Sequence, residues 1–379
     1  MLVHLPLDSD HVFTQLAITS HKSPCMLVPP QQSLIHITFH RKREHKTNMP
    51  SSKSMLLFMC FVFGSLMQSM KAQDPSKLTL DYYTKTCPHA QQIVRTEMEC
   101  FVRAEPRNAA IMLRLHFHDC FVQGCDGSVL LDDTATLIGE KQAEQNVNSL
   151  KGFDLVDKIK EKLEAECPGV VTCADLLAIA ARDAVELVGG PYWDVPVGRL
   201  DSKAASLDLA NTDIPTAQQG LLTLISKFWA KGLSATDMVA LVGSHTIGFA
   251  RCANYRDRIY GDFEQTSKYN PSSETYLSKV KETCPLDGGD DNISAMDYAT
   301  PAAFDNAFYE QLIKGEGLLN SDQEMWSSVV SSQTADLVNK YWADPGLFFK
   351  QFSDSMVKMG NITNPEGGEV RKNCRFVNT

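Results

Sequence analysis

The sequence predicts a mostly helical fold of two lobes around a cleft, with only short strands. From Gln73 onward, apolar residues recur with the helical period of about 3.6, and little of the chain alternates with the period of two that a half-buried strand requires. Loops rich in Gly, Asp and Asn separate the helical stretches, notably at 200–213 and 286–292. No repeat or linker divides this part of the chain, so one domain is expected over 73–379.

The helices follow one another along this domain, and residues that start or stop helices mark several of their ends. Pro88 opens the first, Gly189-Gly190 ends the fourth, and Ser234-Ala235-Thr236-Asp237 has the form of a capping box for the helix that carries His245. The predicted helices cover, in order, residues 90–102, 109–122, 153–163, 174–188, 221–230, 237–245, 304–312 and 348–356.

The first 72 residues are predicted to be absent from the folded protein. The most apolar segment, 55–67, is preceded by Lys53 and followed by Ala72. It is too short for a membrane span of about 20 residues. The order of a basic residue, an apolar core and a small residue is typical of a secretory signal peptide, placed at 49–72, although a buried hydrophobic helix is the alternative. Residues 1–48 are interpreted as a non-structural upstream extension.

The charge of the chain argues against a nucleic-acid partner. The formal net charge is −10, and residues 1–72 hold seven of the 36 Lys and Arg but only three of the 46 Asp and Glu, which leaves −14 for the remainder. Nucleic-acid phosphates require a basic surface. Small-molecule or cationic partners are therefore expected.

Cysteine usage agrees with export. Nine of the 11 cysteines lie beyond residue 72, and none forms the C-x-x-C pair that is typical of zinc sites. Such a spread in an exported domain indicates disulfides, with one thiol left over and the pairing open at this point. Sequons at Asn292 and Asn361 are candidate glycosylation sites.

Two histidines, His118 and His245, carry the strongest chemical signal. Six of the ten histidines lie in residues 1–48, and the other two are His89 and His116. His118 lies in Arg114–Phe121 and His245 in Val242–Gly248, both helical motifs that contain or precede glycine. Two histidines in such motifs, in a domain otherwise poor in histidine, are typical of a protein that holds a cofactor between them.

Arg114, Phe117 and His118 share one face of the second helix, since they are three or four residues apart. A base, a fixed cation and an aromatic ring can move a proton and stabilise developing negative charge. A solvated helix face is the alternative. His116 points elsewhere and is interpreted as structural or solvent-facing.

Two oxygen-rich segments begin beside these histidines. Carboxylates, hydroxyls and carbonyls suit calcium, and surface turns are the alternative. Cys120 and Cys125 can close the first segment as a small ring, and Thr246 can join the second. The first contains Asp119, Gly124, Asp126, Gly127 and Ser128, and the second runs over Asp297–Asp305.

Residues from about 78 to 377 resemble the class III family, the secretory haem peroxidases of plants. Both motifs of that family are present, the distal one at 114–127 and the proximal one at 237–248. The resemblance implies the haem peroxidase fold, one haem b and two Ca²⁺ ions. It also implies a monomer that uses hydrogen peroxide to oxidise phenolic donors by one electron at a time.

The resemblance further implies a role for each site residue. His245 ligates the haem iron, and Asp322 accepts the other ring N–H of His245. His118 is the distal acid–base, with Phe117 beside it, and Arg114 polarises the peroxide. The supporting residues are Asn146, which orients His118, Glu140, which links that network to the distal calcium, and Pro215 at the donor site.

Metal ligands and disulfides are implied by the same resemblance. The distal calcium ligands are Asp119, Val122, Gly124, Asp126 and Ser128, with Glu140 adjoining, and the proximal ones are Thr246, Asp297, Thr300, Ala303 and Asp305. The implied disulfides are Cys87–Cys167, Cys120–Cys125, Cys173–Cys374 and Cys252–Cys284. Cys100 is left over and is expected to be a buried helix thiol.

The sequence departs from the family pattern at two positions. Pro215 is the only proline kept from a Pro-x-Pro common in relatives, and Met296 stands where intracellular peroxidases carry Trp. Two other functions are alternatives to that of a secreted peroxidase. A secreted haem- or calcium-binding protein without turnover would be expected to lack Arg114, His118 or Asp322, and an intracellular ascorbate-type peroxidase would lack the signal peptide. The segment after Cys374 has no apolar extension, which favours the cell wall space over the vacuole.

Overall fold

A computed structural model describes residues 78–263 and 271–379. The predicted upstream extension 1–48, the predicted signal peptide 49–72 and the start of the domain at Gln73 lie outside the described residues. Within the domain, the first described residue is Leu78.

The described chain is mostly helical, as the periodicity predicts. Its α-helices are α1 (Ala90–Ala104), α2 (Arg107–Phe121), α3 (Phe153–Glu166), α4 (Cys173–Leu187), α5 (Leu207–Asp213), α6 (Leu221–Ala230), α7 (Ala235–Val242), α8 (Arg256–Ile259), α9 (Pro271–Thr283), α10 (Ala307–Ile313), α11 (Asn320–Ser327), α12 (Ser332–Ala343) and α13 (Pro345–Gly360). Short 3₁₀ turns occur at Ser128–Leu130, Glu140–Gln142, Gly243–Thr246 and Cys252–Asn254.

Local sequence explains where several of these helices begin. The capping box before α7 is confirmed: the Ser234 hydroxyl accepts from the backbone N–H of Asp237, and the Asp237 carboxylate accepts from the backbone N–H of Ser234. Such reciprocal bonds satisfy N–H groups that the first turn leaves without partners. The loop predicted over 200–213 is wrong in its second half. Ser206 caps helix α5 there by accepting from the backbone N–H of Leu209.

Strands are short, as expected. Strand β1 (Phe249–Arg251) pairs antiparallel with β2 (Ile293–Ala295), with Ala250 opposite Ser294. The pair lies just after the turn that carries His245 and just before Asp297. It therefore brings Thr246 close to Asp297, the start of the second oxygen-rich segment.

The helices that carry the two motifs belong to one hydrophobic core. Helix α2 packs against α1 and α4, and α7 packs against α6, α12 and α13. The large core cluster contains residues from both groups, among them Leu115 of α2 and Leu241 of α7. A smaller cluster under α9 contains Cys252, Tyr255 and Leu277. The core thus fixes the distal and proximal motifs relative to their neighbours by close packing.

All four implied disulfides are present: Cys87–Cys167, Cys120–Cys125, Cys173–Cys374 and Cys252–Cys284. The expectation for Cys100 is wrong. It lies on α1, as expected, but its side chain is half-buried rather than buried.

Within residues 78–263 and 271–379, none of the helices combines the length and the apolar character that a membrane span needs.

Candidate active site

Helix α2 brings Arg114 and His118 into direct contact. The Arg114 Nε–H donates to His118 Nε2 at 3.1 Å, as the i,i+4 spacing predicts. The imidazole is buried and the guanidinium is half-buried. A solvated helix face is therefore excluded for this pair.

Asn146 fixes the tautomer of His118. Its Nδ2 donates to the backbone carbonyl of Glu140 at 2.8 Å, so its Oδ1 is the atom that faces His118 Nδ1, at 2.6 Å. An amide oxygen only accepts, which places the ring proton on Nδ1 and leaves Nε2 unprotonated, as its role as acceptor for Arg114 Nε–H also requires. Burial, and then the positive charge of Arg114, hold the pKa of His118 well below its usual range. His118 is thus a neutral imidazole whose Nε2 carries no proton of its own.

Arg114 is held by more partners than the sequence analysis predicted. Its Nη1 donates to the Ser149 hydroxyl at 2.9 Å and to the Ser149 carbonyl at 3.2 Å, and its Nη2 donates to the Gln145 carbonyl at 3.0 Å. Burial lowers the pKa of Arg114 to about 10, so the guanidinium stays charged near neutral pH. The only sequence signal for these contacts was the Asn-rich stretch around Asn146.

Phe117 and His116, the neighbours of His118, lie in different environments. The Phe117 ring stands edge-on to the His118 ring, with 5.5 Å between centroids, and also packs on Phe121. His116 is buried with a ring nitrogen 3.6 Å from Cys120 Sγ, so the solvent-facing interpretation is wrong. Burial, with the charge of Arg199, lowers the pKa of His116 to about 3, and the residue is a neutral part of the core.

His245 has the arrangement expected of a haem ligand. It lies in the 3₁₀ turn after α7, and its Nδ1 is 2.9 Å from Oδ1 of Asp322 on α11. Asp322 is buried, so the Nδ1 proton is directed at a fixed carboxylate. A carboxylate on one ring nitrogen makes the other a stronger donor for iron. Among the described residues, no hydrogen bond occupies Nε2, which fits a haem ligand.

The distal oxygen-rich loop is a buried cluster of negative charge. Asp119, Asp126 and Glu140 are almost inaccessible to solvent, and neither Asp119 Oδ1 nor Glu140 Oε2 has a hydrogen-bond partner within the described ranges. Burial raises the pKa of all three, with the charge of Asp126 adding to the effect on Asp119, and the pKa of Glu140 reaches about 8. Buried carboxylate oxygens without donors fit a hard cation such as Ca²⁺.

Residues far along the chain support this loop, and the sequence analysis missed them. Asn364 Nδ2 donates to Asp126 Oδ2 at 2.7 Å, and the Arg371 guanidinium donates to the Gly127 carbonyl. Gly127 has φ +69°, and a Cβ there would overlap Arg371 Nη2. A glycine is required at this position by both conformation and space. The Cys120–Cys125 disulfide closes the start of the loop.

The proximal oxygen-rich segment converges on Thr246. The hydroxyl of Thr246 lies 3.1 Å from Asp297 Oδ2 and 3.2 Å from Asp305 Oδ1, and the Thr300 hydroxyl lies 3.3 Å from the same Asp297 oxygen. One hydroxyl proton cannot serve two carboxylates, so these oxygens fit a bound cation. The backbone N–H of Ala303 donates to the Thr300 carbonyl, which places Ala303 in the same turn.

Pro215 lies beside the helix that carries Asp322. It is half-buried, and two residues later the Ala217 carbonyl accepts from the backbone N–H of Ser321 at 2.9 Å. This contact ties the Pro215 segment to the first turn of α11.

The chain is similar to known proteins over most of its length. A sequence model of the family described as peroxidase matches residues 94–344. "Peroxidase 11" of Arabidopsis thaliana is 60% identical over 333 residues, covering 86% of this chain and 99% of the relative. "Peroxidase 49" and "Peroxidase 9" of the same plant are 46% identical over 327 residues and 48% identical over 305 residues, covering 86% and 80% of this chain and 97% and 88% of the relatives.

Proposed function

Since the chain belongs to the class III family of plant haem peroxidases, we propose that His245 holds the iron of one haem b and that Arg114 and His118 act together on hydrogen peroxide. Family membership makes the chain an enzyme that oxidises donors with hydrogen peroxide. The observation that carries the residue assignment is the position of His118, whose Nδ1 faces Asn146 at 2.6 Å while Nε2 faces Arg114 at 3.1 Å.

The chemistry divides between cofactor and chain. Bound haem supplies the redox centre at which peroxide is cleaved and from which donors are oxidised one electron at a time. His118 Nε2 takes a proton from the entering peroxide and returns it to the departing oxygen. Nδ1 already carries a proton, which it donates in a hydrogen bond to Asn146 Oδ1. Nε2 is therefore the nitrogen that makes this transfer.

Arg114 and Asp322 supply the electrostatics. The Arg114 guanidinium, charged and next to Nε2, stabilises the negative charge that develops on the departing oxygen. On the proximal side, Asp322 accepts a hydrogen bond from the Nδ1–H group of His245. This bond makes Nε2 a stronger electron-pair donor to iron. Asp322 is buried, and Arg114 and His245 are half-buried.

Two Ca²⁺ ions would occupy the oxygen-rich clusters. The distal ion would be held by Asp119, Asp126 and Ser128 with the carbonyls of Val122 and Gly124, next to Glu140. The proximal ion would be held by Thr246, Asp297, Thr300 and Asp305 with the Ala303 carbonyl. Each site adjoins a histidine of the active site in sequence, so the ions would stabilise the helices that position His118 and His245.

The donors proposed for this enzyme are small phenols of the plant cell wall, oxidised near Pro215. We place the mature protein outside the cell, as a monomer starting at Gln73 and carrying glycans at Asn292 and Asn361. The four disulfides support this location, because disulfides persist in oxidising compartments.

Haem and calcium content with a visible spectrum tests the proposal. We expect the secreted protein to contain one haem and two calcium ions per chain. Its Soret band should change on addition of one equivalent of hydrogen peroxide and return after addition of a phenol. Protein that takes up no haem, or whose spectrum does not respond to peroxide, would contradict the proposal.

A further inference from the structure

Within the segment 140–150, the side chain of Ser149 contacts Arg114. We propose that Ser149 is a positioning residue for Arg114: its hydroxyl and its carbonyl together hold the guanidinium beside His118 Nε2. This inference rests on the proposed function, in which Arg114 acts on peroxide.

The contacts of Arg114 leave one N–H free for a ligand. A guanidinium side chain has five N–H donors. The Nε–H goes to His118, both protons of Nη1 can go to Ser149 Oγ at 2.9 Å and Ser149 O at 3.2 Å, and one proton of Nη2 goes to the Gln145 carbonyl at 3.0 Å. Only the second proton of Nη2 has no acceptor in the described ranges of the chain. It is the donor left for a bound anion or oxygen.

The backbone explains why Ser149 presents both oxygens to the same arginine. The Asn146 carbonyl accepts from the backbone N–H of Ser149 at 3.0 Å and of Leu150 at 2.8 Å, which closes a tight turn. Within it Asn148 adopts φ +59°, a left-handed conformation that asparagine tolerates better than most residues. The turn brings the hydroxyl and carbonyl of Ser149 to one nitrogen of Arg114.

The same turn holds both catalytic side chains of helix α2. The Asn146 side chain orients His118, and Gln145 and Ser149 hold Arg114. An arginine otherwise loses considerable rotamer freedom when its guanidinium must be aimed at a ligand. With Ser149 in place, that freedom is lost on folding, and the charge is already oriented when peroxide enters.

Fluoride binding to the ferric haem-loaded protein tests this without turnover. Fluoride is a small anion that binds ferric iron and accepts hydrogen bonds, so its affinity reports the orientation of Arg114. We expect Ser149→Ala to weaken fluoride binding about fivefold, the change expected from one net hydrogen bond. Ser149→Thr, which keeps the hydroxyl, should restore the affinity. Arg114→Leu should weaken binding more than Ser149→Ala does.

Asn148→Gly is the matched control, because glycine keeps the left-handed turn and the exposed Asn148 side chain is removed. It should leave fluoride affinity unchanged. Melting temperatures of all variants separate a positioning effect from loss of fold, and steady-state kinetics should show kcat/KM falling for peroxide but not for the phenol. If Ser149→Ala binds fluoride like the wild type while Arg114→Leu does not, the inference on Ser149 is wrong and the proposed function stands. If Arg114→Leu also binds fluoride normally, the proposed role of Arg114 fails, and the inference fails with it.

Discussion

The two nitrogens of His118 have different partners, and this difference separates it from its neighbour His116. Nδ1 is committed to Asn146, and Nε2 shares a hydrogen bond with the charged Arg114. His116, two positions earlier, packs against Cys120 and Arg199 in the core. The helix thus separates the proposed acid–base residue from a structural histidine by turning them to different faces.

Replacement of these residues should affect the reaction with peroxide unequally. His118→Ala should keep haem bound, because His245 is the proposed ligand of the iron, but should slow the reaction with peroxide by about 10²–10⁴-fold, the usual contribution of a positioned acid–base group. Arg114→Leu should slow it less, because the proton path remains. Stopped-flow absorbance at the Soret band measures both rates.

His116→Ala is the control for that experiment. It should leave the rate constant with peroxide near the wild-type value and lower the melting temperature, because it empties a buried position. An unimpaired His118→Ala, or a His116→Ala slowed as much as His118→Ala, would show that the catalytic base has been assigned to the wrong face.

Side chains that act through their chemical type could be predicted from the sequence, and those that act through backbone position could not. Arg114, His118 and Asp322 have residue types that the chemistry demands, and they are placed as expected. Gln145 contributes only a carbonyl, which every residue has. Ser149 lies 35 positions from Arg114, and its contact depends on a turn whose left-handed residue the sequence does not reveal.

At the scale of elements, the two oxygen-rich loops differ in how their charge is balanced. In the distal loop, three buried carboxylates lie near the guanidinium of Arg371. In the proximal loop, the hydroxyls of Thr246 and Thr300 and the amide of Gln311 all donate to Asp297. We therefore expect the distal loop to depend more on a cation for its stability.

Calcium should stabilise the protein more at pH 8 than at pH 5. Without calcium, burial raises the pKa of Asp119, Asp126 and Glu140, to about 8 for Glu140. A carboxyl whose pKa is raised in the folded state gives stability that is complete below the unfolded pKa and is lost as pH rises through the folded one. The folded, calcium-free form should thus lose stability as the pH rises toward 8. At that pH the ionised carboxylates also bind Ca²⁺ most tightly. Melting temperatures with excess calcium and with chelator, across this pH range, measure the difference.

Glu140→Gln is the control, because it removes one titrating group from the loop. It should make the melting temperature of the calcium-free form depend less on pH. A calcium effect on melting temperature that is equal at pH 5 and pH 8, or activity and stability that survive complete calcium removal, would argue against metal at these loops.

Helices with clear caps and an apolar period could be predicted, because those signals are local. Helix α6 has the predicted bounds, 221–230, and the capping box of α7 is where the sequence places it. The prediction missed α5, α8, α9, α11 and α12 among the described helices. Helices α9 and α12 each bury only three residues, which gives a weak apolar period, and the seven residues of α5 are too few to establish one. Packing against neighbouring elements, which a single sequence does not show, stabilises such short helices.

At the scale of the whole molecule, the disulfides close loops of very different length. Cys173 and Cys374 are 201 positions apart, and Cys252 and Cys284 are 32 apart. In the chain-entropy model, removing the disulfide that closes the longer loop lowers the free energy of unfolding by about 5 kcal/mol, and removing the one that closes the shorter loop lowers it by about 4 kcal/mol. We expect C173A/C374A to lower the urea midpoint of the haem- and calcium-loaded protein more than C252A/C284A does. The reverse order would mean that strain or local packing, not loop entropy, governs these bonds.

Processing of the amino-terminal region is also open to measurement. We expect the secreted protein to begin at Gln73, because the segment 49–72 has the order of features of a signal peptide. Intact mass of the deglycosylated, exported protein decides this. A secreted form that retains residues 1–48 would contradict the proposed boundaries.

The long-range contacts of the distal loop join segments that are synthesised at very different times. Asp126 and Gly127 are met by Asn364 and Arg371, which follow them by 238 and 244 positions. A ribosome adds about 5–20 residues per second. The loop therefore emerges on the order of ten seconds or more before the segment that completes it. During translation the carboxylates of this loop therefore remain in an incomplete site until Asn364 and Arg371 have been synthesised.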